Sequence, residues 1–548
     1  MNKRTKIIGT LGPTSESEST IRSMILAGMD MVRLNFSHGT HEEHRAFIET
    51  VKRVREDMGR PIGIILDTKG PCIRTGTLEG GAPIRLYAGN RLILTERDVP
   101  GTPERIHQSF AGLGAFVTSG TTILLDDGMI ELAVDAVDGP DILCTVQNPG
   151  ELGECKQANV PEITIPLPVM TPQDESDLRL GIEMGVDYVA ASFVRSAEDV
   201  CQIRTFLRAN GGTNIDVMAK IENAQAVENL DEIIAVSDAV MVARGDLGVE
   251  VDPASVPHLQ KKIIKACNSA FCPVVIATHM LDSMIHHPHP TRAEVTDVAN
   301  AIYDGADAVM LSGETAIGIY PHLTIQTMTR IAEASEPYLL SEAQVPNRQA
   351  AYPRVTPTIA LAAVSIAESL GARCIVTPTL TGRTARFVSN YRPKVPIYAV
   401  TASDEVARKL SLYWGVRSIP GAILGDATQI LEQSQQAVVD AYLARPGDLA
   451  VFTLGNRKTS PEVSGLVEQP AKVMGQPANE PALDPAAAAA AANGCPIPPP
   501  VHATNVVEVV QISATPRGAA AASAVDDGVD MNARVDAPAV TTEGEVRS

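Results

Sequence analysis

Four charged residues end or follow short apolar runs of the sequence, where they could act together on one bound molecule. Lys220 and Glu222 end the run DVMAKIE, and Asp246 follows the run DAVMVARG. Arg33 lies within the run MVRLN. Two carboxylates such as Glu222 and Asp246 can share one hard cation, Mg²⁺ or Mn²⁺, whose other ligands are water and substrate oxygens. Because Lys220 and Arg33 could hold a phosphoryl group and spread the charge of its transfer, these residues predict phosphoryl transfer.

Further polar residues follow the same kind of run. Burying so many charges would cost several kcal/mol each unless they were paired or bound an ion, which disfavours a purely structural cluster. The backbone N–H groups of Gly245 and Asp246, in a loop that leads into a helix, suit a carboxylate or a phosphate. The sequence has neither GxGxxG nor Walker A, so a nucleotide would bind in another way. The run-end residues are Arg33, Asn35, Asp67, Thr68, Lys69, Lys220, Glu222, Arg244, Gly245, Asp246, Thr278, Ser312 and Glu314.

A repeated phrase indicates which elements position these residues. A helical pattern ends at or near a glycine, an aspartate follows, and an apolar run begins, as in GMDMVRLNFS, GVDYVAASF, SDAVMVARGD and GADAVMLSGE. Glycine tolerates the left-handed conformation that ends a helix, and an apolar run without polar alternation is typical of a parallel strand buried on both faces. Four more runs, KIIGT, PIGIILD, DVMAKIE and PVVIAT, bring the number to eight. The sequence therefore predicts a (β/α)₈ barrel with its chemistry at the carboxyl ends of the strands.

Changes of pattern along the chain predict four regions. Turn-rich β runs such as RLILT and DILCTV interrupt the barrel pattern, and helix and strand patterns alternate again after it. The last region is rich in alanine and proline, which predicts disorder. The predicted regions are the barrel (1–69 and 169–340), an inserted β domain (70–168), an α/β domain (341–475) and a disordered tail (476–548).

Composition limits the expected partners and compartment. The 548 residues carry a net charge of −20, which repels polyanions, so nucleic acid is not expected as a partner. Outside a late alanine run no stretch of about 18 uncharged apolar residues occurs, so no membrane span is predicted. The eight cysteines are scattered without a CxxC pair, and the first residues do not form the apolar segment of a signal peptide. We therefore expect a cytoplasmic protein with reduced thiols.

The chain resembles the pyruvate kinase family through long motifs. They are IIGTLGPTS, MVRLNFSHG, DTKGPCIRTG, LDDG, VAASFVRS, AKIEN, VARGDLGVE and PTRAEVTDVANAIYDGADAVMLSGETA. The resemblance covers residues 1 to about 330, and more loosely continues to about 465. It implies a (β/α)₈ TIM barrel with an inserted small β-barrel lid domain and a C-terminal α/β regulatory domain. It also implies Mg²⁺-dependent phosphoryl transfer from phosphoenolpyruvate to ADP in the final step of glycolysis, by a cytoplasmic homotetramer.

The resemblance also implies roles for single residues. Lys220 would stabilise the transition state, while Glu222 and Asp246 would bind the metal and Arg33 would hold the substrate phosphate. Thr278 and the amides of Gly245 and Asp246 would hold the substrate carboxylate, and Ser312 and Glu314 would order a proton-relay water. The residues implied for a K⁺ site are Asn35, Ser37, Asp67 and Thr68. Those implied for ADP are Asn35, His38, Arg74 and Lys156.

One position and one segment leave the K⁺ requirement and the effector site open. Position 72 is cysteine, where members that require K⁺ usually carry glutamate and independent members carry lysine, although Thr68, Lys69 and Thr75 favour dependence. The segment TLTGRTA is similar to the loop that binds sugar-phosphate effectors in regulated members, and an ordinary turn has the same composition. The effector residues implied by the resemblance are Thr379, Thr381, Gly382, Arg383 and Thr384.

Two other functions, a metal-dependent lyase and an inactive sensor, fit part of the sequence pattern. A metal-dependent aldolase or lyase on a similar barrel would also hold an enolate beside two acids, but it would lack the inserted β domain and Lys220. A sugar-phosphate sensor without activity would fit the end of the third domain, where TLGNRKTSPEVSG after Phe452 lacks the ending usual in the family. The intact Lys220, Glu222, Asp246, Arg33 and Thr278 argue against it.

Overall fold

The computed structural model describes residues 3–161, 163, 165–342, 355–454 and 506–512, with the side chains of 340–342 left out. The strands are β1 (Lys6–Thr10), β2 (Met31–Asn35), β3 (Gly63–Asp67), β4 (Ile73–Arg74), β5 (Ile84–Leu86), β6 (Arg91–Thr95), β7 (Arg105–His107), β8 (Thr122–Leu125), β9 (Ile130–Asp138), β10 (Asp141–Val146), β11 (Gly150–Leu152), β12 (Gln157–Asn159), β13 (Tyr188–Ala191), β14 (Asp216–Ile221), β15 (Ala239–Ala243), β16 (Val274–Ala277), β17 (Ala308–Leu311), β18 (Cys374–Pro378), β19 (Ile397–Thr401), β20 (Val416–Pro420), β21 (Leu449–Leu454) and β22 (Val506–Gln511). The helices are α1 (Glu18–Ala27), α2 (His41–Met58), α3 (Pro172–Met184), α4 (Ala197–Ala209), α5 (Ala224–Glu228), α6 (Leu230–Val236), α7 (Arg244–Glu250), α8 (Val256–Ser269), α9 (Arg292–Asp304), α10 (Gly313–Ala316), α11 (Pro321–Glu342), α12 (Val355–Ser369), α13 (Arg383–Asn390), α14 (Asp404–Lys409) and α15 (Ala427–Asp440).

Eight strands close into a parallel barrel in the order β1-β17-β16-β15-β14-β13-β3-β2. They are the eight apolar runs of the sequence, and the prediction of a (β/α)₈ barrel is confirmed. All strands are almost completely buried because one face fills the interior of the barrel and the other packs against the helices. Parallel register places the last residues of neighbouring strands side by side, as in the pairing of Asn35 with Asp67.

The aspartate of the repeated phrase has a structural function at the opposite end of the barrel. In each of four units its carboxylate accepts a hydrogen bond from a backbone N–H of the neighbouring strand, at 2.8 to 3.0 Å. The aspartate thereby satisfies an N–H group at the end of the ladder, which would otherwise be buried without a partner. The pairs are Asp30 with Ile7, Asp187 with Ile64, Asp238 with Val217 and Asp307 with Val274.

Helix caps fix where the outer helices begin. Thr171 and Asp174 form a reciprocal capping box at the start of α3, with Pro172 in the first turn, and Ser196 and Asp199 form another at the start of α4. Each box satisfies two backbone N–H groups that the helix itself leaves free. No helix of the described residues is long and apolar enough to cross a membrane.

The insertion between β3 and β13 is a small β structure with its own apolar core. Its main sheet has the order β4-β12-β8-β9-β10-β6-β7, and β5 pairs with β11. Backbone hydrogen bonds from Gly76 to His107 and from Ser109 to Arg74 join the two edge strands. The sheet therefore curls into the small barrel that the sequence predicted.

The C-terminal sheet has the order β20-β19-β18-β21-β22, and its last strand corrects the sequence analysis. The disorder predicted for 476–548 is wrong for Val506–Gln511, which pairs antiparallel with β21 from Leu454 to Leu449. The Ala/Pro-rich composition of the region favoured a prediction of disorder over the short segment VVEVVQ, which is rich in β-branched valine. The edge strand of the sheet provides hydrogen-bond partners for its backbone groups. The remainder of 476–548 lies outside the described residues.

Candidate active site

Lys220 lies in a buried charged cluster at the carboxyl end of the barrel. Its Nζ is 2.7 Å from Ser192 Oγ, 3.1 Å from Asp67 Oδ1 and 2.8 Å from Glu222 Oε1. The other oxygen of Asp67 accepts a 2.5 Å hydrogen bond from Arg33 Nε. Neighbouring strands β2, β3, β13 and β14 bring these residues together, as the strand-end rule predicted.

The charges of this cluster support one another. Burial alone would lower the pKa of Lys220, but the carboxylates of Asp67, Glu222 and Asp246 outweigh it, so the pKa is raised and the ammonium keeps its proton. Burial works against the charge of Asp67 as well, yet Arg33 and Lys220 hold its pKa below the usual range. A fixed positive charge therefore points into a site from which water is largely excluded.

Glu222 and Asp246 fit a hard divalent cation. Glu222 is fully buried, and its Oε2 accepts a 2.7 Å hydrogen bond from the N–H of Phe193. Its Oε1 has no partner with hydrogen-bond geometry, although Lys220 lies at ion-pair distance. Burial, followed by repulsion from Asp246, raises the pKa of Glu222, so its ionised form is disfavoured. A cation bound between the two acids would stabilise that ionised form. The described residues contain no cluster of three or more acidic, histidine or cysteine ligands, so water and substrate oxygens would complete the coordination.

Thr278 has a strained backbone, and Arg244 holds it in place. Thr278 has a φ of 72°, which is unfavourable for a β-branched residue, and the next residue, His279, has a φ of 55°. Arg244 donates to the carbonyls of Ala277 at 3.2 Å and Thr278 at 2.7 Å, while Asp297 holds its Nη1 at 2.8 and 2.6 Å. Gly245 leaves the space that this loop needs, because a Cβ there would lie 2.9 Å from Thr278 Cγ2.

Glu314 anchors the loop after β17 to the same region. Its Oε2 accepts from the N–H of Ser312 at 2.7 Å, and its Oε1 accepts from the N–H of Leu281 at 3.1 Å. Glu314 is almost fully buried. Both carboxylate oxygens are thus used to tie Ser312 to the segment that follows Thr278.

The residues implied for K⁺ form an oxygen-rich group beside Lys220. Asn35 Oδ1 accepts from the N–H of Ser37 at 3.2 Å, and Thr68 Oγ1 accepts from the N–H of Ser192 at 3.1 Å. Asn35 is also the register partner of Asp67. The structure therefore places Asn35, Ser37, Asp67 and Thr68 next to one another.

The residues implied for ADP come from two domains and face each other. His38 lies on the barrel, and burial, then the charges of Arg74, Arg33, Lys69 and Lys156, lower its pKa. Arg74 and Lys156 belong to the inserted domain, where Lys156 Nζ is 2.9 Å from Asp126 Oδ1. Arg74 Nη1 donates to the carbonyl of Cys155 at 3.0 Å. Positive charge from both domains thus acts on His38.

The candidate effector residues lie in the C-terminal domain, apart from this cluster. Thr379 and Thr381 follow β18, and Gly382, with φ of 80°, precedes α13. The N–H of Gly382 donates to Thr379 Oγ1 at 2.9 Å. Arg383 and Thr384 form the first turn of α13, so the five residues form one strand-to-helix turn.

Ser192 is a site residue that the sequence analysis missed. Its hydroxyl accepts from Lys220 at 2.7 Å and lies 3.2 Å from Asp67 Oδ1 and 2.6 Å from the carbonyl of Thr68. Ser192 directly follows β13, so the strand-end rule pointed to it. A lone serine in VAASFVRS carries no charge and gave no other signal.

The fold and the site define a metal-dependent phosphotransferase built on a (β/α)₈ barrel. A family profile described as "Pyruvate kinase, barrel domain" matches residues 2–325, and one described as "Pyruvate kinase, alpha/beta domain" matches residues 357–465. The pyruvate kinase of Bacillus licheniformis is 47% identical over 456 residues, which cover 83% of this chain and 78% of that relative. The pyruvate kinase of Clostridium acetobutylicum is 45% identical over 455 residues, 83% of this chain and 96% of the relative.

A solved structure gives the same result. The crystal structure of a pyruvate kinase from Cryptosporidium parvum has a TM-score of 0.78 and 38% sequence identity, covering 83% of this chain and 94% of that chain. The chain belongs to the pyruvate kinase family. It transfers the phosphoryl group of phosphoenolpyruvate to ADP, giving pyruvate and ATP, and it requires a divalent metal. The predictions of family, fold class and reaction are confirmed.

Proposed function

We propose that Mg²⁺ is the divalent metal of this reaction and that Glu222 and Asp246 hold it. The observation that carries this proposal is the fully buried Glu222 carboxylate, whose negative charge is disfavoured by burial and by Asp246 and whose Oε1 is held by the ion pair with Lys220 at 2.8 Å. Two carboxylates with open positions match the preference of Mg²⁺ for water and phosphate oxygens. When bound, the cation would neutralise charge on the transferred phosphoryl group.

In this proposal Lys220 and Arg33 act directly on the phosphoryl group. Arg33 holds the phosphate of phosphoenolpyruvate, and the ammonium of Lys220 stabilises the charge of the group as it moves to ADP. Ser192 and Asp67 fix the direction of the Lys220 ammonium through contacts of 2.7 and 3.1 Å. Such a fixed charge costs no reorganisation at the moment of transfer.

The carboxylate end of the substrate would bind at the next strand ends. The N–H groups of Gly245 and Asp246 open α7 and donate to the carboxylate, with Thr278 beside them. After phosphoryl transfer the enolate needs a proton at its methylene carbon. Ser312, held by Glu314, orders the water that supplies it.

The nucleotide would bind between the barrel and the inserted domain. Asn35 and His38 contact it from the barrel, and Arg74 and Lys156 hold its phosphates from the inserted domain. We propose residues 70–168 as a lid that closes over the nucleotide and keeps water from the phosphoryl group.

The K⁺ requirement gives a first test of the site. Replacing K⁺ by tetramethylammonium should lower kcat by at least about tenfold, or 1.4 kcal/mol, because Asn35, Ser37, Asp67 and Thr68 would lose a bound positive charge. Cys72 cannot replace that charge, because a cysteine side chain carries no positive charge; its sulfur accepts a hydrogen bond from Arg74 Nε at 3.2 Å. A Cys72→Lys variant should recover part of the rate without K⁺. Equal rates of the unchanged protein in both buffers would contradict the site.

Arg244 gives a second test, because it holds Thr278 without reaching the phosphoryl group in this proposal. Arg244→Lys should lower kcat by about 10²-fold with little change in KM for ADP, since lysine cannot hold two carbonyls and Asp297 together. Arg204→Lys is a matched control, as Arg204 also joins a carbonyl, that of Val236, to a carboxylate, that of Asp238. Steady-state kinetics that show equal losses in both variants would refute a positioning role.

Further parts of the family pattern are proposals of the same kind. We propose a regulatory domain formed by residues 341–475 together with β22, a sugar-phosphate effector at Thr379–Thr384, and a homotetramer in the cytoplasm. No two of the described cysteines are joined by a disulfide, which supports a reducing compartment.

A further inference from the structure

A cavity of about 350 Å³ lies between the inserted domain and the barrel. Cys72 and Asn159 line it from the inserted domain, and Phe193, Asn223 and Glu250 line it from the barrel. It adjoins the proposed active site at Cys72 and Phe193, but no residue assigned to metal, substrate or nucleotide contributes to its lining. Its size is that of a small-molecule site.

Asn159, which lines this cavity, carries a buried hydrogen-bond acceptor without a partner among the described residues. Asn159 is only 6% exposed, and its Nδ2 donates to Glu250 Oε1 at 2.6 Å. Burial and the charge of Asp246 raise the pKa of Glu250, while the hydrogen bond from Asn159 favours its ionised form. An ionised carboxylate can only accept, so the amide nitrogen faces Glu250 and Oδ1 points elsewhere. Among the described residues Oδ1 has no hydrogen-bond partner. Leaving it unpaired costs about 1 to 3 kcal/mol, which a bound donor would recover.

The charges around the cavity favour a cation. Glu250 and Glu228 both line the cavity, and both carry carboxyl groups. Arg195 is the one basic residue of the lining, and its donors are directed to the carbonyls of Ile165 and Leu167 and to Asp199. An anion would therefore meet two acids and an arginine that is already engaged. The rest of the lining includes the apolar side chain of Phe193, which suits a hydrocarbon body.

We propose that this cavity binds a small organic ammonium ion, whose N–H groups donate to Asn159 Oδ1 and Glu250 and whose apolar part packs near Phe193. Because Asn159 and Glu250 come from different domains, the ligand would bridge the inserted domain and the barrel at the hinge. The site is separate from the proposed catalytic groups, so its failure would leave the proposed function intact.

The test compares three molecules that share a 3-methylbutyl group and differ in the polar group attached to it: 3-methylbutylammonium, 3-methylbutan-1-ol and 4-methylpentanoate. Titration calorimetry of the full chain should give a dissociation constant of about 1 mM for the ammonium ion, a reasonable value for six heavy atoms. The alcohol should bind at least tenfold more weakly, and the carboxylate should not bind. Equal binding of all three, or no binding of the ammonium ion, would overturn the proposal.

Two variants connect the binding to the cavity. Glu250→Gln should weaken ammonium binding at least tenfold, while Glu198→Gln, at an exposed carboxylate outside the cavity, should not. Ala224→Phe fills the cavity from α5 without removing a charge and should abolish binding. If Glu250→Gln does not fold, Ala224→Phe decides alone. Undiminished binding in the filled variant would place the ligand elsewhere and refute the site.

Discussion

Replacing Lys220 with methionine should lower kcat for pyruvate formation by about 10³-fold or more. Methionine keeps an unbranched apolar side chain as far as Cε but removes the ammonium that Asp67 and Glu222 hold at 3.1 and 2.8 Å. Among the described residues no other lysine forms an ion pair with Asp67 or Glu222. The loss should appear in kcat rather than in KM for ADP, because the charge acts on the moving phosphoryl group.

Lys409→Met separates a catalytic loss from a structural one. Lys409 is also a largely buried lysine in an ion pair, with its Nζ 2.8 Å from Asp216 Oδ1. That pair lies at the start of β14, whereas Lys220 lies near the end of the same strand. Both variants remove a cation from a buried acid and should lower the thermal midpoint. Only Lys220→Met should lose activity at a temperature where both are folded. A comparable loss of kcat in Lys409→Met would mean that Lys220 acts through the fold.

Glu222→Gln should weaken activation by Mg²⁺ by at least about 100-fold. The glutamine carbonyl oxygen can still accept from the N–H of Phe193, so the side chain keeps its position. The other oxygen, Oε1, becomes an NH₂ group, which cannot bind a metal. At saturating Mg²⁺ kcat should remain below that of the unchanged protein, because one negative ligand is lost.

Metal titrations followed by activity, and by Mn²⁺ electron paramagnetic resonance without substrate, would measure this effect. Glu336→Gln is the matched control, since Glu336 is a buried carboxylate that accepts from the N–H groups of Arg4 and Thr5 at the other end of the barrel. It should lower stability and leave the metal affinity unchanged. Unaltered Mn²⁺ binding in Glu222→Gln would exclude Glu222 as a ligand.

The barrel could be predicted from sequence because its strands are buried on both faces. That environment selects uninterrupted apolar runs such as GIILD, and the strand-end rule then places Asp67, Lys220 and Glu222 at one mouth. The strand Val506–Gln511 could not be predicted in the same way. It is six residues long, lies within an alanine- and proline-rich region, and finds its partner β21 only through the sheet.

Site residues without charge were the harder part. Ser192 becomes informative only when the barrel places its hydroxyl between Lys220 and Asp67. The contacts of Arg244 with the carbonyls around Thr278 depend on the positive φ of Thr278. This φ could not be predicted from the sequence, because threonine disfavours it. Tertiary structure, rather than local pattern, determines these groups.

The most direct test of the central claim is pyruvate formation from phosphoenolpyruvate and ADP by the unchanged protein, measured with Mg²⁺, with EDTA, and after Mg²⁺ is restored. One pyruvate and one ATP should form for each phosphoenolpyruvate consumed, the reaction should stop in EDTA, and it should recover fully with Mg²⁺. Turnover that continues in EDTA, or no pyruvate in any mixture, would contradict phosphoryl transfer at Lys220, Glu222 and Asp246.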